Sequence, residues 1–196
     1  IGRYISSINN SPTPLWMKRR LELCGIRPIS LIVDITNYVL MEMGQPLHAF
    51  DAAKLTGCIH VRKAEDKESI LALDGVSYQL TPEDLVIADD TGPVAIAGVM
   101  GGEAAGVTGE TMDILLESAY FSPAGIRHSG RRLGISSDSS YRFERGVDPV
   151  QVAGASELAT DLILEIAGGQ AEAHIVSCGA LPPLNQEVEL NVENCR

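Results

Sequence analysis

The sequence lacks several features that would identify a specialised class of protein. No apolar run approaches the roughly 18 residues that a membrane-spanning helix needs, and no internal repeat or low-complexity segment is present. The phosphate-loop, GxGxxG, GxSxG and HExxH motifs are also missing. The cysteines are too widely spaced for a CxxC zinc or redox motif; they are Cys24, Cys58, Cys178 and Cys195. The sequence therefore gives no sign of a membrane protein, a metal or nucleotide site, or a serine hydrolase.

Positive charge is scarce overall but concentrated in one stretch. The 15 basic residues stand against 26 acidic ones, for a formal net charge of −11, which disfavours a general coat for DNA or RNA. Between residues 127 and 145 there are five arginines and two acidic residues, so this stretch has a net charge of +3 and the rest of the chain a net charge of −14. Such a surface suits a partner with a phosphate end. The five are Arg127, Arg131, Arg132, Arg142 and Arg145.

The remaining composition is that of a folded protein. The 196 residues, 45% hydrophobic and 21% charged, are enough for one large domain or a compact pair, so no disulfide or metal is needed for a core. Scattered cysteines without a targeting pattern indicate a reducing cytoplasm. Because the first residue is Ile1 rather than Met, we expect a piece of a longer protein.

Periodicity and punctuation predict helices, then short strands, then helices, an order that favours an α+β fold. Residues 1–12 are interpreted as a linker or entry strand, and residues 45–51 show no period. The helices are predicted from Thr13, as a cap, to Gly25, from 30 to 44, from Pro123 to Gly134, and from 148 to 168. The strands are predicted at 58–64, 69–73, 76–80, 85–89, 94–100, 112–118, 170–178 and 186–193.

Four features carry side chains or glycines suited to chemistry, and each has a structural alternative. The glycine-rich run 98–102 brings a backbone close to a ligand or forms a tight turn. His48 orients water or bonds to backbone. Glu117 accepts a ligand hydroxyl or pairs with an arginine at a strand end. The serines at 136–140 line a pocket or form a loop and helix cap. From the residues alone, these alternatives stay open.

Longer strings are more specific. The runs 33–40 (VDITNYVL), 44–51 (GQPLHAFD), 97–102 (AGVMGG), 115–119 (LLESA) and 142–149 (RFERGVDP) closely resemble the beta subunit of bacterial phenylalanyl-tRNA synthetase, in order and at the usual spacing. The resemblance covers nearly all of residues 13–180. It implies that residues 13–185 are the editing domain of that subunit, with a β-sandwich-like core of unusual topology and flanking helices. It also implies that residues 186–196 open the following domain.

The resemblance implies a function and partners. An editing domain of this kind hydrolyses tyrosine wrongly attached to phenylalanine tRNA. The full enzyme is an α₂β₂ heterotetramer that joins phenylalanine to its tRNA with ATP and magnesium, and that site lies on the alpha subunit, so no cofactor is expected in this chain. Two alternatives remain: a structural or RNA-contacting module with editing lost, and a free-standing deacylase.

Residue roles also follow from the resemblance. His48 corresponds to the editing-site histidine near the ester, and Glu117 to the acceptor of the tyrosine hydroxyl. Thr36 and Asn37 correspond to the pocket wall beside the amino-acid backbone. The small residues of the floor are Ala97, Gly98 and Gly101, and the rim residues are Ser137 and Ser139, at positions where the family often has threonine and alanine. The five arginines of 127–145 are candidates for contact with the tRNA acceptor end, and no metal ligand is expected.

Overall fold

A computed structural model describes residues 1–9 and 11–182, so the strand predicted at 186–193 lies outside the described residues. Within them the chain forms five α-helices and ten strands. The helices are α1 (Leu15–Leu23), α2 (Leu31–Met43), α3 (Pro123–Leu133), α4 (Asp138–Phe143) and α5 (Gln151–Ala167). The strands are β1 (Gly2–Ser6), β2 (Leu47–Asp51), β3 (His60–Lys63), β4 (Ser69–Leu71), β5 (Ser77–Gln79), β6 (Leu85–Asp89), β7 (Gly92–Ile96), β8 (Met100–Gly101), β9 (Ile114–Ser118) and β10 (Gln170–Val176).

The first sheet is antiparallel, with the strand order β10-β1-β9-β2. Its inner strand β9 has side chains packed on both faces of the sheet, whereas the edge strand β10 is largely exposed. Ile114 and Leu116 are fully buried in a cluster with the apolar residues of α1, α2 and α5, while Leu115 packs into a separate cluster with the second sheet. Because successive side chains of a strand point to opposite faces, Glu117 shares the face of Leu115. The first sheet is thus covered by helices on one face and by strands on the other.

The second sheet is also antiparallel, with the order β3-β6-β7-β8, and the small β4–β5 hairpin joins its edge through a bridge between Ala72 and Gly102. Phe50 of the first sheet shares one apolar cluster with Ile87 and Ile96 of the second. Two antiparallel sheets facing each other across this cluster, with helices outside, confirm the predicted α+β fold with a sandwich-like core.

Local sequence signals explain the helix limits. As predicted, α3 begins at Pro123 and ends immediately before Gly134. The predicted cap of the first helix is wrong: the Thr13 hydroxyl donates instead to the buried carboxylate of Asp34 (2.6 Å), and α1 begins after Pro14. Asp34 also accepts from the backbone N–H of Ile29 (2.7 Å), so it fixes the chain between α1 and α2.

One segment decides between two predicted forms, and two segments differ from the prediction. Of the two forms considered for residues 1–12, Gly2–Ser6 takes the strand form, as an inner strand of the first sheet. Residues 47–51, for which the sequence predicts no strand, form β2. The strand shows no alternation of polarity because side chains on both of its faces are at least partly buried. The strand predicted at 94–100 is a hairpin in which residues 97–99 turn the chain from β7 into β8.

We expect Ile5→Ala to lower the free energy of unfolding by about 2–4 kcal/mol, because the fully buried Ile5 side chain lies on an inner strand and its removal leaves a cavity. Val61→Ala is the matched control, since Val61 is 50% exposed and should change stability by less than about 0.5 kcal/mol. Urea denaturation measures both. Equal effects of the two substitutions would contradict the inner position of β1.

Candidate functional site

The pairing of β2 with β9 brings two of the candidate residues together. His48 lies directly opposite Glu117 in the antiparallel register, and both belong to the face that looks toward the second sheet. Side chains of directly opposed residues have Cβ atoms about 5 Å apart. The buried Gln45, just before β2, donates from Nε2 to the carbonyl of Ala119 (2.8 Å), just after β9, and so ties the same ends of the two strands.

A cavity of about 60 Å³ lies between the sheets at this pair. Strands β2 and β9 form one wall, the β7–β8 hairpin another, and α4 closes the side. Five of the nine candidate pocket residues line it: His48, Gly98, Gly101, Glu117 and Ser139. The other lining residues are mostly apolar: Pro46, Leu47, Ile87, Ala95, Ile96, Val99, Met100, Phe121 and Phe143. The cavity is therefore an apolar chamber with one carboxyl group and one imidazole on the same wall.

The Glu117 carboxyl group lies beside no cationic side chain of the described residues; the charge that acts on it is the N-terminal ammonium of Ile1, which donates to the Ser118 carbonyl (2.9 Å) and partly offsets the effect of burial on the pKa of Glu117. Among the described residues, no arginine, lysine or hydrogen-bond donor contacts its side chain, so the alternative of a strand-end ion pair is not formed there. Burial raises the pKa of Glu117 from 4.5 to about 7. Near neutral pH this carboxyl group therefore exchanges between an acid, which donates a hydrogen bond, and a carboxylate, which accepts them.

The His48 imidazole is held by packing. Its ring meets that of Phe50 edge to face with centroids 4.5 Å apart. Burial lowers the pKa of His48 from 6.5 to about 4, so the ring is neutral at neutral pH. Its Nε2 is buried and has no hydrogen-bond partner among the described residues. The alternative of a structural histidine bonded to backbone therefore finds no support at Nε2.

Two glycines shape the opposite wall. Gly98 has φ of +67° in the turn closed by the Val99 N–H and the Ile96 carbonyl (3.0 Å), and a Cβ there would lie 2.7 Å from Phe121. A Cβ on Gly101 would lie 2.5 Å from Cε1 and 2.9 Å from Nε2 of His48. The absence of side chains at these two positions thus leaves room for the aromatic wall and for the imidazole.

The glycine-rich run offers fewer backbone donors than the sequence predicts. The N–H groups of Ala97, Val99 and Gly102 donate to the carbonyls of Leu85 (3.0 Å), Ile96 (3.0 Å) and Val94 (2.8 Å), respectively. These three groups hold the hairpin and are not available to a ligand. Within residues 1–9 and 11–182 the N–H of Gly98 has no acceptor, which makes it the candidate backbone donor in the cavity wall.

Four candidate residues do not line the cavity. Ala97 is buried in the core, and the Thr36 hydroxyl donates to the carbonyl of Val33 in its own helix (2.8 Å). Asn37 lies one helical turn before Met41, whose Sδ is 3.2 Å from Nη2 of Arg142 on the outside of α4. The fourth, Ser137, does not line the cavity but contacts the backbone of its wall at Val99.

Ser137 confirms the cap alternative at its own position. Its hydroxyl accepts from the backbone N–H of Ser140 (3.0 Å), as the N-cap of α4, and donates to the carbonyl of Val99 (2.7 Å). Ser139, two residues on, reaches the cavity. Sequence reasoning missed the aromatic wall, where Phe121 and Phe143 meet edge to face at 5.1 Å. The only signal for it was that Phe143 belongs to the run 142–149.

The predicted basic segment is largely neutralised within the described chain. Arg132 pairs with the buried Asp84, while Arg142 and Arg145 pair with Asp138 and Glu144. Arg127 donates to the carbonyl of Glu144 (2.9 Å), which leaves Arg131 as the one arginine of the segment with no partner among the described residues. Arg127, Arg131 and Arg132 line an open groove on α3. This segment therefore presents less free positive charge than its sequence indicates.

The described residues contain neither a metal-binding cluster nor a membrane-spanning helix. No group of three or more His, Cys, Asp or Glu side chains is arranged to hold a metal ion in this part of the chain. Over the same residues, no helix combines the length and the apolar character needed to cross a bilayer.

Comparisons with known proteins give a consistent family. The family model described as the B3/4 domain matches residues 1–168. The chain is 53% identical over 191 residues to the phenylalanine–tRNA ligase beta subunit of Chromobacterium violaceum, covering 97% of this chain and 24% of that protein. It is 51% identical over 190 residues to the same subunit of Dechloromonas aromatica, covering 96% of this chain and 24% of that protein. The chain thus spans about a quarter of the length of these curated relatives.

A solved structure shares the fold. An N-terminal fragment of the phenylalanyl-tRNA synthetase beta subunit from Pyrococcus horikoshii matches with a TM-score of 0.52, over 87% of this chain and 45% of that chain. Since the two sequences are only 10% identical, this likeness concerns the fold alone.

We expect Glu117→Gln to stabilise the protein increasingly as the pH rises from about 4.5 to about 7. In the wild type the folded state retains a proton that the unfolded chain releases, so its stability falls over this window, whereas glutamine does not ionise. The difference in the free energy of unfolding between the variant and the wild type is at most about 3 kcal/mol above pH 7. Urea denaturation at a series of pH values measures it, and a Glu117 ¹³C titration midpoint near 4.5 would contradict it.

We expect Gly101→Ala to lower the melting temperature by several degrees, because the new methyl group displaces the His48 ring and changes its NMR signals. Gly109→Ala is the matched control: a Cβ added at Gly109 would meet no heavy atom within 4 Å, and the φ of this residue is not positive. If both variants melt alike and the His48 signals stay in place, the contact between Gly101 and His48 is wrong.

Proposed function

The chain belongs to the B3/4 domain family, and on that premise we propose that it hydrolyses the ester joining tyrosine to phenylalanine tRNA. The observation that carries the proposal is the carboxyl group of Glu117, which pairs with no described basic side chain, beside the neutral imidazole of His48 in an apolar cavity. The beta subunits to which the chain is similar belong to phenylalanine–tRNA ligases. A ligase that selects phenylalanine has a physical reason to carry a second site of this kind.

That reason lies in an asymmetry of molecular recognition. An apolar pocket rejects a ligand that only adds a hydroxyl by about 100-fold, because the hydroxyl fits poorly rather than not at all. A pocket whose buried polar group must be satisfied rejects the ligand without the hydroxyl by roughly 10⁴–10⁵-fold. In the cavity, Glu117 is that group: a tyrosine phenol satisfies it, whereas a phenylalanine ring leaves it unpaired. Phe121 and Phe143 supply apolar contact for the ring.

Hydrolysis then needs a positioned water and a donor for the developing oxyanion. A neutral imidazole nitrogen accepts a hydrogen bond from water, so His48 is suited to orient the water that attacks the ester carbonyl. The carbonyl–oxygen bond to the ribose breaks, and the ribose oxygen leaves with a proton. The free N–H of Gly98 is suited to the oxyanion. In this proposal Ser139 lies at the amino-acid end, and Glu117 selects the substrate.

The proposal includes the setting of the reaction. The substrate is the acceptor end of phenylalanine tRNA, delivered in the cytoplasm within an α₂β₂ ligase, with Arg127 and Arg131 as candidate contacts on α3. ATP and magnesium serve the charging reaction on the alpha subunit, and the hydrolytic step uses neither. A structural module without activity is the competing hypothesis, and it predicts that changes in the cavity leave hydrolysis unaffected.

We expect the assembled ligase to hydrolyse tyrosyl-tRNA, with kcat/KM about 10–100-fold lower for Glu117→Ala and kcat about 10²-fold or more lower for His48→Ala. Phenylalanine charging should persist in both variants, because the charging site lies elsewhere. Release of labelled tyrosine from mischarged tRNA measures hydrolysis.

Glu110→Ala and His174→Ala are the matched controls, since both residues are exposed, and they should hydrolyse the ester as the wild type does. An inactive wild type, or cavity variants that behave like these controls, would establish the structural module instead.

A further inference from the structure

A second basic surface lies on α1 and the loop that follows it. Lys18, Arg19 and Arg20 are on the helix and Arg27 is in the loop, with Glu22 as the single acidic residue between them. We call these four cations the α1 basic surface. A local net charge of +3 here stands out against −11 for the whole chain.

These cations are free of acidic partners. Among residues 1–9 and 11–182, no carboxylate lies within ion-pair distance of any of the four. Arg20 donates to the hydroxyl of Tyr38 (2.7 Å), while Arg19 and Arg27 are exposed and form no hydrogen bond, ion pair or ring contact with a described side chain. The segment 127–145 differs, because three of its five arginines are paired with carboxylates. Unpaired guanidinium groups are available to phosphates without first losing another partner.

Aromatic rings lie among the cations. Trp16 is 44% exposed and meets Tyr38 of α2 edge to face, with centroids 5.4 Å apart. The Arg20 guanidinium lies 5.4 Å from the Trp16 ring centroid and 5.9 Å from that of Tyr38. An exposed indole braced by a guanidinium and a second ring offers a face on which a nucleobase stacks.

We propose that the α1 basic surface, together with Trp16, binds single-stranded RNA. Cations interleaved with an exposed aromatic ring match a phosphate backbone that carries stacking bases. An acidic protein surface would use the cations but has no bases to stack on Trp16, so RNA explains both features. The proposal rests on the proposed function, because it concerns the strand that leads to the cavity.

The surface is continuous with the cavity. On α2, Tyr38 is followed one turn later by Met41, about 4.5 Å along the helix axis. The Met41 Sδ contacts Arg142 of α4 (3.2 Å), and Ser139 and Phe143 of the same helix line the cavity. A strand whose end enters the cavity thus passes Arg142 and reaches Trp16 along the outer face of α2.

The single tryptophan of the chain provides a direct assay. We expect a 12-nucleotide single-stranded RNA to quench Trp16 fluorescence, and the double variant Arg19→Gln/Arg27→Gln to bind it about tenfold or more weakly. The slope of log K against log salt should fall by about 1.4, since each lost phosphate contact contributes roughly 0.7 for single strands. Both side chains are exposed and neither has a hydrogen bond or ion pair with a described residue, so the melting temperature should stay that of the wild type.

Lys63→Gln/Lys67→Gln is the matched control, because it removes the same charge from two exposed residues of β3 and the turn that follows it, and should weaken binding much less. Equal weakening by both double variants, or none by the α1 variant, would overturn the proposal. Heparin should bind without quenching Trp16, because it has charge but no bases. If polyglutamate competes as well as RNA does, the surface is a protein-docking site, and the proposal is likewise wrong.

Hydrolysis separates this proposal from the function it rests on. In the assembled ligase, Arg19→Gln/Arg27→Gln should raise KM for tyrosyl-tRNA and leave kcat unchanged, because neither residue lines the cavity. If RNA quenches Trp16 but the wild type does not hydrolyse the ester, the proposed function fails and the RNA surface stands. If the wild type hydrolyses the ester and the variant has an unchanged KM, the RNA surface fails alone.

Discussion

The register between β2 and β9 is the constraint on which the site depends. It sets His48 opposite Glu117 on the face shared with the second sheet. A slip of β2 by one residue would turn His48 toward the helices and Ala49 toward the cavity, and would separate His48 from Glu117. Burial of Ala49 and Leu116 on the helix side, and the bond from Gln45 to the Ala119 carbonyl, hold the register. Polar chemistry on one face is thus fixed by apolar packing on the other.

The same arrangement explains the electrostatics of the site. Strands buried on both faces leave little water near a polar side chain, so the carboxyl group and the imidazole both favour their neutral forms. Neither group pairs with a basic or acidic side chain of the described residues, and this distinguishes the cavity from the contact between the buried Asp84 and Arg132 of α3. The Asp84 carboxylate is paired with Arg132 and supports the fold, whereas the Glu117 carboxyl group is left for a ligand.

The sequence predicted what local signals determine. Helix α2 shows a clear period, strand β6 is a continuous apolar run that ends at Asp89, and Pro123 and Gly134 mark α3, so these elements were confirmed. Strand β2 was missed because two buried faces remove the alternation that identifies a strand. Resemblance suggested His48 and Glu117, but their adjacency depends on non-local strand pairing, which no local pattern encodes. The pairing of Arg132 with Asp84 escaped prediction for the same reason.

Ser137 illustrates how a residue outside a cavity becomes indispensable to it. One hydroxyl both starts α4 and holds the Val99 carbonyl of the turn on the facing wall. Threonine preserves both bonds, and alanine loses both at once. Selection on the cavity would therefore restrict the evolutionary drift of this position as strictly as that of a substrate contact. In a comparison of related sequences, a residue that only joins two walls of the cavity would therefore vary as little as a residue that takes part in the reaction.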